Sequence, residues 1–506
     1  MAESAEQAYQ ELLKTVREIS LIYSCLALLD WDHKTHMPGG GAEIRSQQVS
    51  MLAGMGHQKF TSPRIGELLD KVEQAGLNKE KFSDTETNIR ELRREYDKSA
   101  KVPTDLVMEI SKTSSLADSA WVEARKKSDF NHFKPWLEKM IDLKRQYAEA
   151  VGYEKEPYDA LLDDYEPGGT YETIGKVLND FREELVPFVQ KVLGSEKKPD
   201  ISIVEQEYPV DKQELIGKMA SMMIGFDFKK GRMDTTTHPF CTGIGPGDTR
   251  ITTRYNPNHF NDAFFGILHE SGHGIYDQGL PDEHYGSPRG ESISLGIHES
   301  QSRMWENMVG RSRPFWVYFF PIVQKMFFDT LKDVSLDDFF FAVNDVRPSF
   351  IRVEADEVTY NLHILVRFEL EHAFFKGDLK VEDIPGVWNE KFEHYLGIKP
   401  GNDALGCLQD VHWSNGLIGY FPTYTLGNLY AAQFFAKAQE DIPALGDQFR
   451  IGHFAELKKW LNDNIHSHGK KYRAEKLVEV VTGEKLSHKP FMDYMKGKFG
   501  PLYGIS

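Results

Sequence analysis

Cysteine is scarce: Cys25, Cys241 and Cys407 are the only three in 506 residues, too few and too far apart for a disulfide framework or a cysteine-ligated zinc site. Their scarcity fits a reducing cytoplasm. Positive charge is in deficit as well. Against 77 Asp and Glu stand 60 Lys and Arg, a net charge of −17. That balance argues against a nucleic-acid partner, which needs clustered cations against phosphate, and against polybasic membrane attachment. Long hydrophobic runs are missing too. The densest apolar stretch, residues 315–328, is interrupted by Pro321 and carries Gln324 and Lys325, so it is too short and too polar to span a bilayer. Residues 1–6 are acidic and lead into a helical pattern without the basic and apolar regions of an export signal. A cytoplasmic protein is expected, with neither nucleic acid nor membrane among its partners. Global charge does not identify the substrate, because a cleft can carry the opposite sign.

What is present is ordinary globular material, 40% apolar and 27% charged, in a chain long enough to bury a sizeable core. Length alone suggests about three domains of roughly 150 residues. No internal repeat, low-complexity tract or convincing linker marks a boundary, so residues 1–506 read as a single interlocked helical body. Apolar residues at steps of three and four predict helices over 9–29, 85–100, 103–126, 132–151, 173–193 and 212–224, with Pro38-Gly39-Gly40-Gly41 breaking the first. The pattern stops at Phe226. Residues 233–255, rich in Thr and punctuated by Gly243, Gly245, Pro246 and Gly247, predict a small β-hairpin or sheet. Its edge could pair with an extended peptide, or simply cover the core. From Pro348 the spacing predicts a long helix to about Phe375, stopped by Gly377, with Arg352, Asp356, Thr359 and His363 along one polar stripe. The fold class is mainly α.

Chemistry concentrates in Ile267-Leu268-His269-Glu270-Ser271-Gly272-His273. On a helix, His269 and His273 fall on one face, where both imidazoles can bind one zinc ion, and Glu270 between them is placed to take a proton from the attacking water. Phe260, Ala263, Phe264, Ile267 and Leu268 follow Pro257-Asn258 at helical spacing, so the pair lies on an amphipathic helix. A catalytic zinc needs a third protein ligand and one open position. Glu299, 26 residues beyond His273 on a helix predicted over 291–308, is the candidate. Its neighbour His298 points about 100° away and would support a ligand rather than be one.

Six segments then resemble the motif set of the carboxypeptidase Taq family of metallocarboxypeptidases, in its order. They are His238-Pro239-Phe240, Asp248-Thr249-Arg250-Ile251-Thr252, the His269–His273 run, His298-Glu299-Ser300-Gln301, Ile351-Arg352-Val353-Glu354-Ala355-Asp356, and Gly406-Cys407-Leu408-Gln409-Asp410-Val411-His412-Trp413. The resemblance implies a metal-dependent exopeptidase that removes single residues from the free C-terminus of peptides. It implies zinc, with cobalt or manganese able to substitute, a helical fold with a deep groove similar to neurolysin and angiotensin-converting enzymes, and a homodimer.

Residue roles follow within 238–427, where the metal and substrate motifs lie. His412, Tyr420 and Tyr424, in a Gly-punctuated segment, are candidate donors to the oxyanion of the tetrahedral intermediate, or else buried structural groups. A guanidinium grips a carboxylate through two parallel hydrogen bonds, which makes Arg250 and Arg352 the candidates for the substrate's C-terminus. Arg352 could instead simply bridge Asp356 one turn on. His238 would shape the same subsite, and Asp410 or Asp356 would orient a metal-binding imidazole. Two rival readings are a helical oligopeptidase cutting internal bonds of short peptides, and a catalytically silent peptide-binding scaffold.

Overall fold

Ser4 and Gln7 form a reciprocal capping box, each side chain accepting from the other's amide, and this starts helix Ala5–Thr35. The computed structural model describes residues 4–505; the extreme acidic N-terminus, residues 1–3, lies outside them. Helices Ala42–Phe60, Pro63–Gln74 and Asp84–Lys101 follow. Tyr9, Leu12 and Val16 of the first helix pack with Ile65, Leu68, Leu69, Val72, Ile89 and Leu92 in a small apolar cluster. A far larger cluster begins at Ala117 and runs to Tyr503. The two meet through polar contacts. Arg90 donates to the carbonyls of Lys470 and Lys471 at 3.0 and 3.2 Å, Arg94 and Lys98 pair with Asp163 at 2.7 and 2.8 Å, and Lys470 pairs with Glu95 at 3.1 Å.

Helices Thr104–Lys127, Phe130–Val151, Tyr171–Leu193 and Val210–Ile224 lie where the periodicity places them. The expected sheet has three strands, β1 (Gly231–Thr235), β2 (Cys241–Gly245) and β3 (Asp248–Thr253), in the order β1-β3-β2. Only β2 and β3 make a hairpin, turning at Pro246-Gly247, where Gly247 takes a φ of 84°; β1 joins β3 in parallel. The buried side chain of Ile251 on β3 faces helix Phe260–Gly279, which carries the two histidines.

Three expectations need correction. The helix expected over 291–308 begins at Leu295, capped by the Ser294 hydroxyl on the Ile297 amide, and from Met304 to Val309 it widens into a π-helix. Pro321 does not interrupt its stretch, for helix Arg313–Met326 runs through it. The long helix expected from Pro348 begins only at Tyr360 and ends at Lys376. Side chains satisfy the backbone before it: Asp356 accepts from the amides of Val358, Thr359 and Arg347 at 2.8, 2.9 and 3.2 Å, and Gln409 accepts from the Arg352 amide at 2.8 Å. Arg352 thus sits in a single 3-10 turn, Arg352–Glu354, and Asp356 is not its helical neighbour. Among the described residues no helix is long and apolar enough to cross a membrane.

Candidate metal centre

Helices Phe260–Gly279 and Leu295–Arg303 cross with almost no separation, because Gly272 has no side chain: a Cβ there would lie 2.6 Å from both the Gln301 carbonyl oxygen and the Ser302 Cα. That approach brings His269, His273 and Glu299 together, with one ligand atom from each within 4.8 Å of the others. Nε2 of His273 lies 3.4 Å and Nε2 of His269 3.7 Å from Glu299 Oε2. Atoms about 2.0–2.1 Å from a shared tetrahedral ion stand roughly 3.4 Å apart, so two imidazoles and a carboxylate fit a zinc-sized divalent ion.

The far side of each candidate ligand is fixed by a neighbour. His269 Nδ1 donates to Glu306 Oε2 at 2.9 Å, leaving Nε2 for the ion. His273 Nδ1 donates to His298 Nδ1 at 2.6 Å, and His298 Nε2 donates to Asp277 Oδ1 at 2.9 Å. Glu299 Oε1 accepts from Arg303 Nε at 2.7 Å, which turns Oε2 toward the imidazoles. Behind it helix Pro422–Asp441 closes in at Gly427, where a Cβ would stand 2.5 Å from Glu299 Cγ. Glu166 holds the start of the Glu299 helix, accepting from the Ser294 and Tyr430 hydroxyls at 3.1 and 3.0 Å and from the Gly296 amide at 3.3 Å.

Charge follows burial and pairing. Burial opposes ionisation of Glu299, but Arg303 and the two imidazoles prevail and hold its carboxyl well below the usual range. Burial takes His273 down to about 4, so its ring is neutral. Glu270 is pushed up to about 7, first by burial and then by the nearby Glu299 and Glu306 carboxylates.

A second group of side chains lies beside the ligands. Tyr360 joins the two: the Arg303 guanidinium stacks 4.4 Å from its ring centre, and Arg352 Nη1 donates to its hydroxyl at 3.0 Å. Arg352 also donates from Nε and Nη2 to Asp410 Oδ1 at 3.1 and 2.9 Å. His412 Nε2 approaches the Tyr424 hydroxyl at 3.4 Å, and the Tyr420 ring packs against both His412 and Tyr424 at 5.4 Å. Burial depresses His412 to about 4. Asp410 does not orient a metal-binding imidazole, and neither does Asp356. The first binds Arg352 and Arg367 and the second caps its own loop; the hydrogen-bond partners of His269 and His273 are Glu306 and His298, the latter backed by Asp277.

Arg250 has other partners. It makes a two-pronged pair with Asp248 of its own strand, 2.8 Å at both contacts, and stacks 4.1 Å from the centre of the Trp31 ring. His238 lies exposed between β1 and β2. Near the end of the histidine helix a cavity of about 520 Å³ opens between the first helix and the β2–β3 turn, with Tyr23, Gly245, Asp277 and Leu280 on its walls. A larger cavity, about 1060 Å³, is lined by Phe340, Phe435, Phe449 and Leu502 and by none of the candidate residues.

Residues 11–499 match the family described as carboxypeptidase Taq (M32) metallopeptidase. The chain belongs to this family. Thermostable carboxypeptidase 1 of Thermus thermophilus is 48% identical to it, with 99% of each chain covered, and carboxypeptidase 1 of Bacillus subtilis is 40% identical over 98% of each. The crystal structure of the M32 carboxypeptidase from Deinococcus radiodurans R1 aligns with a TM-score of 0.94 at 38% identity, covering 98% of this chain and 100% of that one. The chain is thus a metal-dependent carboxypeptidase of the M32 family, built on that family's mainly helical fold. In this M32 chain, sequence spacing could have found Asp277, four residues past His273, and Glu306, seven past Glu299. Arg367 carries no comparable local signal.

Proposed function

We propose that the chain releases single C-terminal residues from peptides with a free carboxylate, and that His269, His273 and Glu299 hold the ion while Glu270 acts as general base. The convergence of those three ligand atoms beside a buried glutamate carries this reading. A divalent ion there supplies a Lewis acid that polarises the scissile carbonyl and acidifies a water molecule. Glu270 takes the proton of the attacking water and passes it to the leaving amine; a base near 7 is well matched to both transfers. His412 and Tyr424, with Tyr420 packed against them, donate to the developing oxyanion. Arg352 receives the substrate carboxylate and His238 helps to shape that subsite, whereas Arg250 is already held by Asp248.

Zinc, with cobalt or manganese as substitutes, a homodimer, cytoplasmic residence and one interlocked body for residues 1–506 complete the proposal. They rest on the family resemblance, the ligand chemistry, the sparse cysteines and the lack of a linker in the sequence. The test is to incubate the metal-loaded protein with a short peptide and its C-terminal amide, following both by mass spectrometry. Stepwise loss of single residues from the free acid only is expected. Internal cuts in both peptides would instead point to an oligopeptidase, and intact peptides to a silent scaffold. In parallel Glu270→Gln is expected to keep its metal and lose at least about 100-fold in kcat; retained turnover refutes the base assignment.

A further inference from the structure

Asp410 is shared between two arginines. Oδ1 accepts from Arg352, while Oδ2 accepts from Arg367 Nε at 2.6 Å and lies 2.5 Å from its Nη2. Arg367, on helix Tyr360–Lys376, is completely buried. Its Nη1 donates to the His363 carbonyl at 2.6 Å, and its guanidinium stacks 4.5 Å from the centre of the Trp388 ring. Neither imidazole close by adds charge. Burial, then the two arginines, drive His363 well below its ordinary range, and His412 is held at about 4. Glu371, a further carboxyl near Arg367, turns its oxygens to Tyr158, Trp413 and the Gly419 amide and makes no ion pair with it. Among the directly paired groups the sum is two guanidiniums against one carboxylate; Glu371, pushed up to about 7 by burial, acts on Arg367 only from beyond ion-pair distance.

An arginine paired with a single aspartate is neutral as a unit, and an incoming carboxylate would meet the aspartate's repulsion along with the arginine's attraction. We infer that Arg367 is a positioning residue for the C-terminal carboxylate: it neutralises Asp410 from beneath, so that Asp410 fixes the orientation of Arg352 without cancelling its charge. One hydrogen on each of Nη1 and Nη2 of Arg352 is then left to the substrate, the others being held by Tyr360 and Asp410. Arg367 never touches the peptide. The inference rests on the assignment of Arg352 as the carboxylate-binding residue.

Three variants test it: Arg367→Met, Arg367→Lys, and Arg367→Met combined with Asp410→Asn, which restores the net positive charge without the second arginine. Each is compared with wild type for kcat and KM on a free-acid peptide, for the inhibition constant of 3-phenylpropionate, and for metal content and thermal midpoint. Removing one buried charge is expected to raise KM and the inhibition constant about tenfold or more, with kcat within about threefold. Lysine and the double variant are each expected to recover most of that loss. Unchanged KM in Arg367→Met overturns the inference, and so does a loss that the double variant does not recover while its metal content and midpoint are native. If Arg367→Met does not fold, the other two decide, since both keep the net charge and both must bind free acid nearly as well as wild type. Wild type that cleaves the acid and the amide alike would instead remove the assignment of Arg352 beneath it.

Discussion

Glu166 lies far from Glu299 in sequence, yet it grips the first turn of the helix that presents it. Burial raises its carboxyl from the ordinary 4.5 to about 7, ahead of the opposing bonds from Ser294, Tyr430 and Gly296. The folded state thus binds a proton more tightly than the unfolded one. Below pH 4.5 both states are protonated and the group costs nothing. As pH rises through 7 it comes to oppose folding by roughly 3 kcal/mol, at 1.36 kcal/mol per pKa unit. Glutamine can accept from the Gly296 amide and donate to the two hydroxyls without titrating. Thermal midpoints of Glu166→Gln and wild type, taken at pH 5 and pH 8, are expected to diverge in the variant's favour at pH 8. Parallel behaviour at the two pH values refutes the assignment.

Among the elements, the crossing at Gly272 is the least yielding contact of the site, since the opposing atoms are backbone and cannot rotate away. Gly272→Ala is expected to push the two ligand helices apart, costing about 1–3 kcal/mol as overpacking and weakening metal binding 10–100-fold by displacing Glu299. Metal titration in a competing chelator reads this, and unchanged affinity would show that the helices separate without moving the ligand. The sequence exposed this element clearly. His269 and His273 declare a shared face by spacing alone, and Glu299 follows on the next helix. The segment after Pro348 was illegible for the opposite reason: helical spacing is present, but Asp356 and Gln409 satisfy the backbone locally, and Gln409 reaches it only through the fold. Arg367 is hidden similarly, because an arginine on a helix is ordinarily solvated, and only the arrival of Asp410 gives it a role.

For the whole molecule, the join between the small N-terminal cluster and the main one relies heavily on charges, beside the ring contact of Phe82 with Tyr472 at 5.0 Å and the buried Trp31 ring under Arg232 and Arg250. Arg90 is the key pin, bonded to two carbonyls across the join and to Glu86 and Glu91 on its own side, 2.7 Å in each case. Charged hydrogen bonds of this kind are worth about 1.5–3 kcal/mol, so Arg90→Ala is expected to raise hydrogen exchange in helices Ala5–Thr35 and Asp84–Lys101 while metal content stays unchanged. Exchange no faster than wild type would mean that the other ion pairs hold the join alone. The order of the parts along the chain also sets an order in time. The three residues proposed as ligands lie between 269 and 299, whereas Arg352, Asp410, His412 and Tyr424 come later. At roughly 5–20 residues per second the ribosome finishes the ligand segment about 6–25 s before Tyr424 is made. A nascent chain therefore carries the residues proposed to hold an ion before it carries those proposed to choose a substrate.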